Sequence, residues 1–120
     1  RAFELDARNT ASPEDLARFL VALKGGRLLS GRSTETVLSM MRRNRTGDRR
    51  IRALLPKETQ VWDKTGSIGR SANDVGLVEL PGGKGTLAVV VLVKGSTKDW
   101  AARERAIAEA AKAAFDAFRR

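Results

Sequence analysis

Lys64-Thr65-Gly66-Ser67 places an ammonium group, two hydroxyls and a position without a side chain next to one another. Asn73-Asp74-Val75-Gly76 follows after a short turn, and an apolar run occupies residues 87–93. The pattern makes the tripeptide a cationic motif on the first strand of an antiparallel sheet. Two absences bound the chemistry around it. The chain has no cysteine, which rules out disulfides, thiolate catalysis and cysteine-based zinc sites. It has no histidine either, which removes the Ser-His-Asp mechanism and histidine-ligated metals. Any general base must be Lys, Asp or Glu.

The 120 residues suffice for one domain or a piece of one. Their 42% hydrophobic content is enough to build a core. With 23 Lys and Arg against 14 Asp and Glu, the formal charge is +9, which suits an anionic partner in principle. The arginines are spread through nearly every segment with no compact block of like charge, and few aromatics are present for base stacking. A basic solvated surface is therefore expected rather than a nucleic-acid interface. No apolar stretch approaches the roughly 18 residues that span a bilayer, and no signal peptide is visible. A start at Arg1 instead of Met suggests a processed or excised product.

The elements that must position the motif follow from periodicity. Ser12 is placed to cap a helix in which Pro13 occupies the first turn and Glu14 and Asp15 face the positive end of the dipole. Leu16, Phe19, Leu20 and Leu23 repeat at helical spacing until Gly25-Gly26 ends the pattern. A second helix is predicted from Ser33 or Thr34 to about Arg43, with Val37, Leu38 and Met41 inward. Residues 45–48 read as a turn and residues 49–55 as one or two helical turns stopped by Pro56. From Gln60 the period changes, and residues 61–68, 74–80 and 86–93 read as strands. The Gly- and Pro-rich link at residues 81–85 implies a hairpin between the last two. Residues 99–118 close the chain as a long helix with Trp100, Ile107, Ala111, Ala114 and Phe118 on one stripe.

The expected class is α+β: helices, then a three-stranded antiparallel meander, then a C-terminal helix packed on the sheet. Helical segments fill 1–56, strands 57–96 and the last helix 97–120. Residues 87–93 contain no polar side chain in either alternation register, so both faces of that strand call for burial. A meander leaves it at an edge, and flanking strands outside this chain are the expected remedy.

Arg8-Asn9-Thr10-Ala11-Ser12-Pro13, then Thr46-Gly47-Asp48-Arg49-Arg50-Ile51-Arg52, Leu55-Pro56, Asp63-Lys64-Thr65-Gly66 and Asn73-Asp74 stand in an order and near-spacing that resembles the C-terminal half of class A serine β-lactamases. The resemblance implies a β-lactamase-like (serine D,D-peptidase-like) fold, of which the N-terminal strands and the Ser-x-x-Lys region are absent here. It implies that Lys64 lines the cleft, bonds a second serine of the family and supplies positive potential to a substrate carboxylate. Thr65 would donate its hydroxyl to that carboxylate, and Gly66 would let substrate approach the strand. The Ser67 backbone N–H would form half of an oxyanion hole, with its hydroxyl as a further contact. The register Arg-Ile-Arg before Leu-Pro selects Arg50 as a second carboxylate anchor, because a guanidinium can form two parallel bonds; Arg49 and Arg52 are read as surface or structural.

No serine in this chain stands in a Ser-x-x-Lys sequence. Ser71-Ala72-Asn73 is read as a hairpin turn. Glu4 is the only acid near a possible deacylating position, and the stretch from Asp6 to Pro13 is shorter than the corresponding family loop. The implied function is the C-terminal part of a serine hydrolase that opens β-lactams through an acyl-enzyme. It would be inactive alone, would need no cofactor or metal, and would be completed by the missing N-terminal half or a complementing chain. A periplasmic or secreted location follows by analogy. The competing readings are a peptidoglycan D,D-peptidase acting on a D-Ala-D-Ala-like substrate, a non-catalytic complementing subunit, and a basic nucleic-acid binder.

Overall fold

A computed structural model describes residues 2–120. A short helix α1 (Ala2–Leu5) and a 3-10 turn (Ala7–Asn9) lead into α2 (Pro13–Lys24), α3 (Gly31–Arg42) and a second 3-10 turn (Ile51–Leu54). Strands β1 (Val61–Ile68), β2 (Ser71–Glu79) and β3 (Thr86–Val93) follow, and α4 (Trp100–Phe118) ends the chain. The sheet is antiparallel in the order β1-β2-β3, the meander expected from the sequence.

Capping explains the helix starts. The Ser12 hydroxyl accepts from the Asp15 N–H at 3.1 Å with Pro13 in the first turn, and Asp99 accepts from Ala102 N–H at 2.8 Å. At α3 the cap is Ser30, accepting from Ser33 N–H at 3.2 Å, so the helix begins earlier than the expected Ser33 or Thr34. The apolar spacing marks only where the helix first meets the core, and the polar Gly31-Arg32 turn before it carries no such signal.

Ser71-Ala72-Asn73 is not a turn. These residues open β2, with Ser71 opposite Ile68, Ala72 opposite Ser67 and Asn73 opposite Gly66. The reversal is made by Gly69-Arg70, where Gly69 takes a left-handed φ of 52° that a side chain would resist. Ser and Asn suit turns when nothing else is demanded, but the pairing partners on β1 extend to Ile68 and set the strand length.

Strand alternation sorts the sheet into two faces. Val61, Ala72, Val78 and Val89 lie on one, packed with Ile51 and Leu55 from the second 3-10 turn and Ile107, Ala111 and Phe115 from α4. α2 and α3 cover the other, with Leu20, Leu23 and Leu77 buried there. The sheet is thus the middle of three layers. Phe115 is the buried aromatic of α4, whereas Trp100 and Phe118, expected on the stripe, are 44% and 61% exposed in its first and last residues. Phe19 of α2, also expected inward, is 55% exposed. β3 is an edge strand, half-buried along most of its length.

Candidate active site

The motif residues lie on β1, which is the outer strand on its side of the sheet. Alternation sends Lys64 and Gly66 toward the α2–α3 face and Thr65 and Ser67 toward the α4 face. Lys64 is exposed, and its ammonium donates to the Thr65 carbonyl. It borders an open, mostly apolar hollow of about 500 Å³ formed with Leu16, Phe19, Met40 and Met41.

Thr65 Oγ1 stands 2.6 Å from Thr46 Oγ1, and Thr46 Oγ1 donates to Asn44 Oδ1 at 2.7 Å. A hydroxyl has one hydrogen, so Thr65 is the donor to Thr46 and can redirect that hydrogen by rotation about its Cβ–Oγ1 bond. At Gly66 an added Cβ would meet nothing closer than the Asn73 side chain at 3.7 Å. The fold itself therefore tolerates a side chain there, and the glycine leaves the strand surface open.

Arg50 holds this strand from behind. Its side chain is 6% exposed, so it is no solvated helix charge. Nη1 donates to the carbonyls of Gly66 and Asn73 at 3.1 and 2.7 Å, Nη2 donates to Ser67 Oγ at 2.7 Å, and Nε donates to Glu104 Oε2 at 3.1 Å. A guanidinium has five N–H donors, so one hydrogen, on Nη2, is left for an incoming acceptor. A second bond to the same ligand requires Ser67 to give way. Since Ser67 Oγ accepts from Arg50, its own hydrogen is also available. Lys64, Thr65, Gly66, Ser67 and Arg50 are thereby brought to one strand and its immediate support.

Four supporting residues escaped the sequence reading. Thr46 immediately precedes the Gly47-Asp48 turn and gives no sign of its contact with Thr65. Glu104, 54 residues from Arg50 in the chain, reads simply as a polar position in an amphipathic helix. Asp63 and Asp74 read as strand residues, yet both are fully buried. Asp63 Oδ1 accepts from Arg52 Nη2 at 3.1 Å, which confirms Arg52 as structural, and Asp74 Oδ2 accepts from the Ile51 N–H at 3.1 Å. Burial, and next the charge and carboxyl contact of Asp63, push Asp74 up to about 8.

The Glu4 carboxylate lies against Gly69 in the β1–β2 turn. Gly69 is past the end of β1, roughly 16 Å along the backbone from Lys64 at the usual strand rise. Among the described residues no group of three or more acidic side chains is placed to hold a metal ion, and no helix is long and apolar enough to cross a membrane.

Comparison with known proteins places this arrangement. A family model described as the beta-lactamase enzyme family matches residues 2–118. An imipenem-hydrolyzing beta-lactamase of Enterobacter cloacae is 36% identical over 113 residues, which are 92% of this chain and 38% of that enzyme. The carbapenem-hydrolyzing beta-lactamase KPC of Klebsiella oxytoca is 34% identical over the same shares. Among solved structures, the TLA-3 extended-spectrum beta-lactamase superposes with a TM-score of 0.90 at 29% identity, covering 97% of this chain and 45% of that one. A beta-lactamase from Chitinophaga pinensis gives 0.85 at 34% identity, covering 89% and 42%. The chain therefore spans well under half the length of these relatives. With a matching family model over nearly every residue and the strand geometry above, the chain belongs to the beta-lactamase enzyme family.

Proposed function

We propose that this chain forms the carboxylate-anchoring wall, and half of the oxyanion hole, of a serine β-lactamase that opens the lactam ring through an acyl-enzyme. The observation that carries the reading is the doubly served β1 edge. Lys64 and the open surface at Gly66 lie on one face of the strand and the Thr65 hydroxyl on the other, while buried Arg50 supports the same strand and keeps one N–H unassigned. Positive potential from Lys64 and Arg50 is matched to a substrate carboxylate, and the Ser67 backbone N–H supplies one donor for the developing oxyanion.

The nucleophile is assigned to a Ser-x-x-Lys segment outside this sequence. In the complete enzyme its serine attacks the lactam carbonyl, the ring C–N bond breaks as the nitrogen takes up a proton, and water later releases the acyl group. The hollow beside Lys64 seats that segment: Phe19 and Met40 at its rim are 55% and 54% exposed, and more than half of the relatives' length lies outside the matched region. The outer edge of β3, which has no partner strand among the described residues, takes further strands from the same absent part. A periplasmic or secreted location accompanies this reading.

Intact-mass measurement tests it. The complete enzyme should gain one penicillin mass, carried on a peptide outside the present sequence, while these 120 residues alone gain nothing. Acylation of the isolated chain would overturn the assignment. A complete enzyme that never acquires the penicillin mass and never turns the drug over would favour a non-catalytic complementing subunit.

A further inference from the structure

Asp63 and Asp74 sit on the same face of adjacent strands as diagonal neighbours, two positions out of direct register, since Asp63 is paired with Gly76 and Asp74 with Thr65. Both are 0% exposed. Each carboxylate has one oxygen satisfied, by Arg52 and by the Ile51 N–H, and each has one buried oxygen, Asp63 Oδ2 and Asp74 Oδ1, with no donor. Gly47 packs against both. A Cβ there would overlap the Asp63 carboxylate and stand 3.2 Å from Asp74 Oδ2.

Two ionised carboxylates in this position would leave an uncompensated negative charge in the interior, because each can only accept hydrogen bonds. One proton changes that. A protonated carboxyl donates to its neighbour and converts two orphaned acceptors into one charge-assisted bond. We propose that Asp63 and Asp74 hold a single proton between them, and that this shared proton fastens residues 47–51, and with them Arg50, to the back of β1. The pair consists of positioning residues, acting through the Ile51 N–H and the Gly47 packing on an arginine that itself touches Gly66 and Ser67. The elevated affinity of Asp74 for its proton agrees with this.

The charged groups around the pair decide where the proton is lost. Arg52 from the 3-10 turn faces Asp63, and Arg50 lowers the proton affinity of Asp74 through its charge. Asp48 lies 3.9 Å from Arg52 and Glu104 of α4 neutralises Arg50; Lys64, next to Asp63 in the chain, is exposed to solvent. The two arginines are thus both partly committed to other acids, and the pair keeps its proton through neutral pH. Above its midpoint the carboxylates repel, Asp74 draws away from Ile51, and Arg50 loses its fixed position. The strand anchor therefore has an alkaline limit built into its support. Only the description of Arg50 as an anchor rests on the β-lactamase reading.

The test follows the carboxyl carbons of aspartate-labelled full-length protein by NMR from pH 4 to 10, with the Arg50 Nε–H as a second reporter. In the wild type, one carboxyl of the pair should titrate near pH 8 and the Arg50 signal should move with the same midpoint. In Asp74→Asn the amide supplies a permanent donor to Asp63 while its oxygen accepts from Ile51, so the Arg50 signal should stay fixed to pH 10. Asp74→Ala, which offers neither group, should lose that fixed signal at every pH. The proposal is overturned if both carboxyls ionise in the ordinary range, if Arg50 ignores the titration, or if Asp74→Asn behaves like Asp74→Ala. None of these outcomes reads acylation, so a failure of the β-lactamase reading would show separately, as absent acylation with the titration intact.

Discussion

Replacing Arg50 by lysine keeps the charge and removes the fork. In the structure the guanidinium serves Gly66 O, Asn73 O, Ser67 Oγ and Glu104 Oε2 together. A lysine ammonium has three donors at one point and cannot reach four acceptors on two strands and a helix. Retaining the ion pair with Glu104 abandons the two strand carbonyls and Ser67, while reaching the strand abandons Glu104. Hydrogen bonds to a charged group contribute about 1.5–3 kcal/mol each, and breaking a buried pair outright costs about 3–5 kcal/mol. Arg50→Lys, which breaks part of the set, should therefore lower unfolding free energy by about 2–4 kcal/mol. The substrate loses the remaining Nη2 donor as well, which is on the order of tenfold to a hundredfold in acylation rate constant for a carboxylate-bearing lactam. Two assays separate the effects: urea unfolding of the complete enzyme, and kcat/KM for a carboxylate substrate beside its neutral ester. A destabilisation under about 1 kcal/mol would refute the network. Equal losses for acid and ester would refute the anchor even if the stability loss is found.

Glycines at Gly66 and Gly76 should respond oppositely. Gly66→Ala meets only the Asn73 side chain at 3.7 Å, so stability should change by less than about 1 kcal/mol while acylation falls, whereas a Cβ at Gly76 would lie 2.6 Å from the Trp62 carbonyl and should destabilise by about 1–3 kcal/mol. Thermal or urea unfolding of both variants, with acylation of the first, checks this. Because Asp74 is raised from the unfolded carboxyl range to about 8, the native state binds the extra proton between those limits. Its contribution is complete below the unfolded value, declines with rising pH at up to about 1.4 kcal/mol per unit, and is gone above the folded value. Urea midpoints for the wild type should fall across that window and those for Asp74→Asn should fall less; parallel curves would count against it. The isolated chain, with β3 as an unpaired apolar edge, should self-associate or bind a hydrophobic-surface dye, and a monodisperse monomer by sedimentation would refute that exposure.

Local chemistry in the sequence determined much of this molecule. Ser12-Pro13 and Asp99 start helices wherever they can cap them, the alternating and β-branched runs end at Ile68 and Val93, and the Lys64-Thr65-Gly66 motif identifies the strand that matters. These signals depend on neighbours within a few residues, so they are legible without the fold. Arg50 was selected by its place in a motif, but its burial was not legible, since the carbonyls it serves come from two strands and its counter-charge from a helix more than fifty residues later. The β1–β2 turn likewise fell to Gly69-Arg70 because strand pairing, a nonlocal demand, outweighed the turn preference of Ser71 and Asn73. Tertiary structure alone brought Asp63 and Asp74 together. Their alternation in strands marks each as facing one side, and only the packing of Gly47 and Ile51 over both decides that this side is dry, where two carboxylates need one proton.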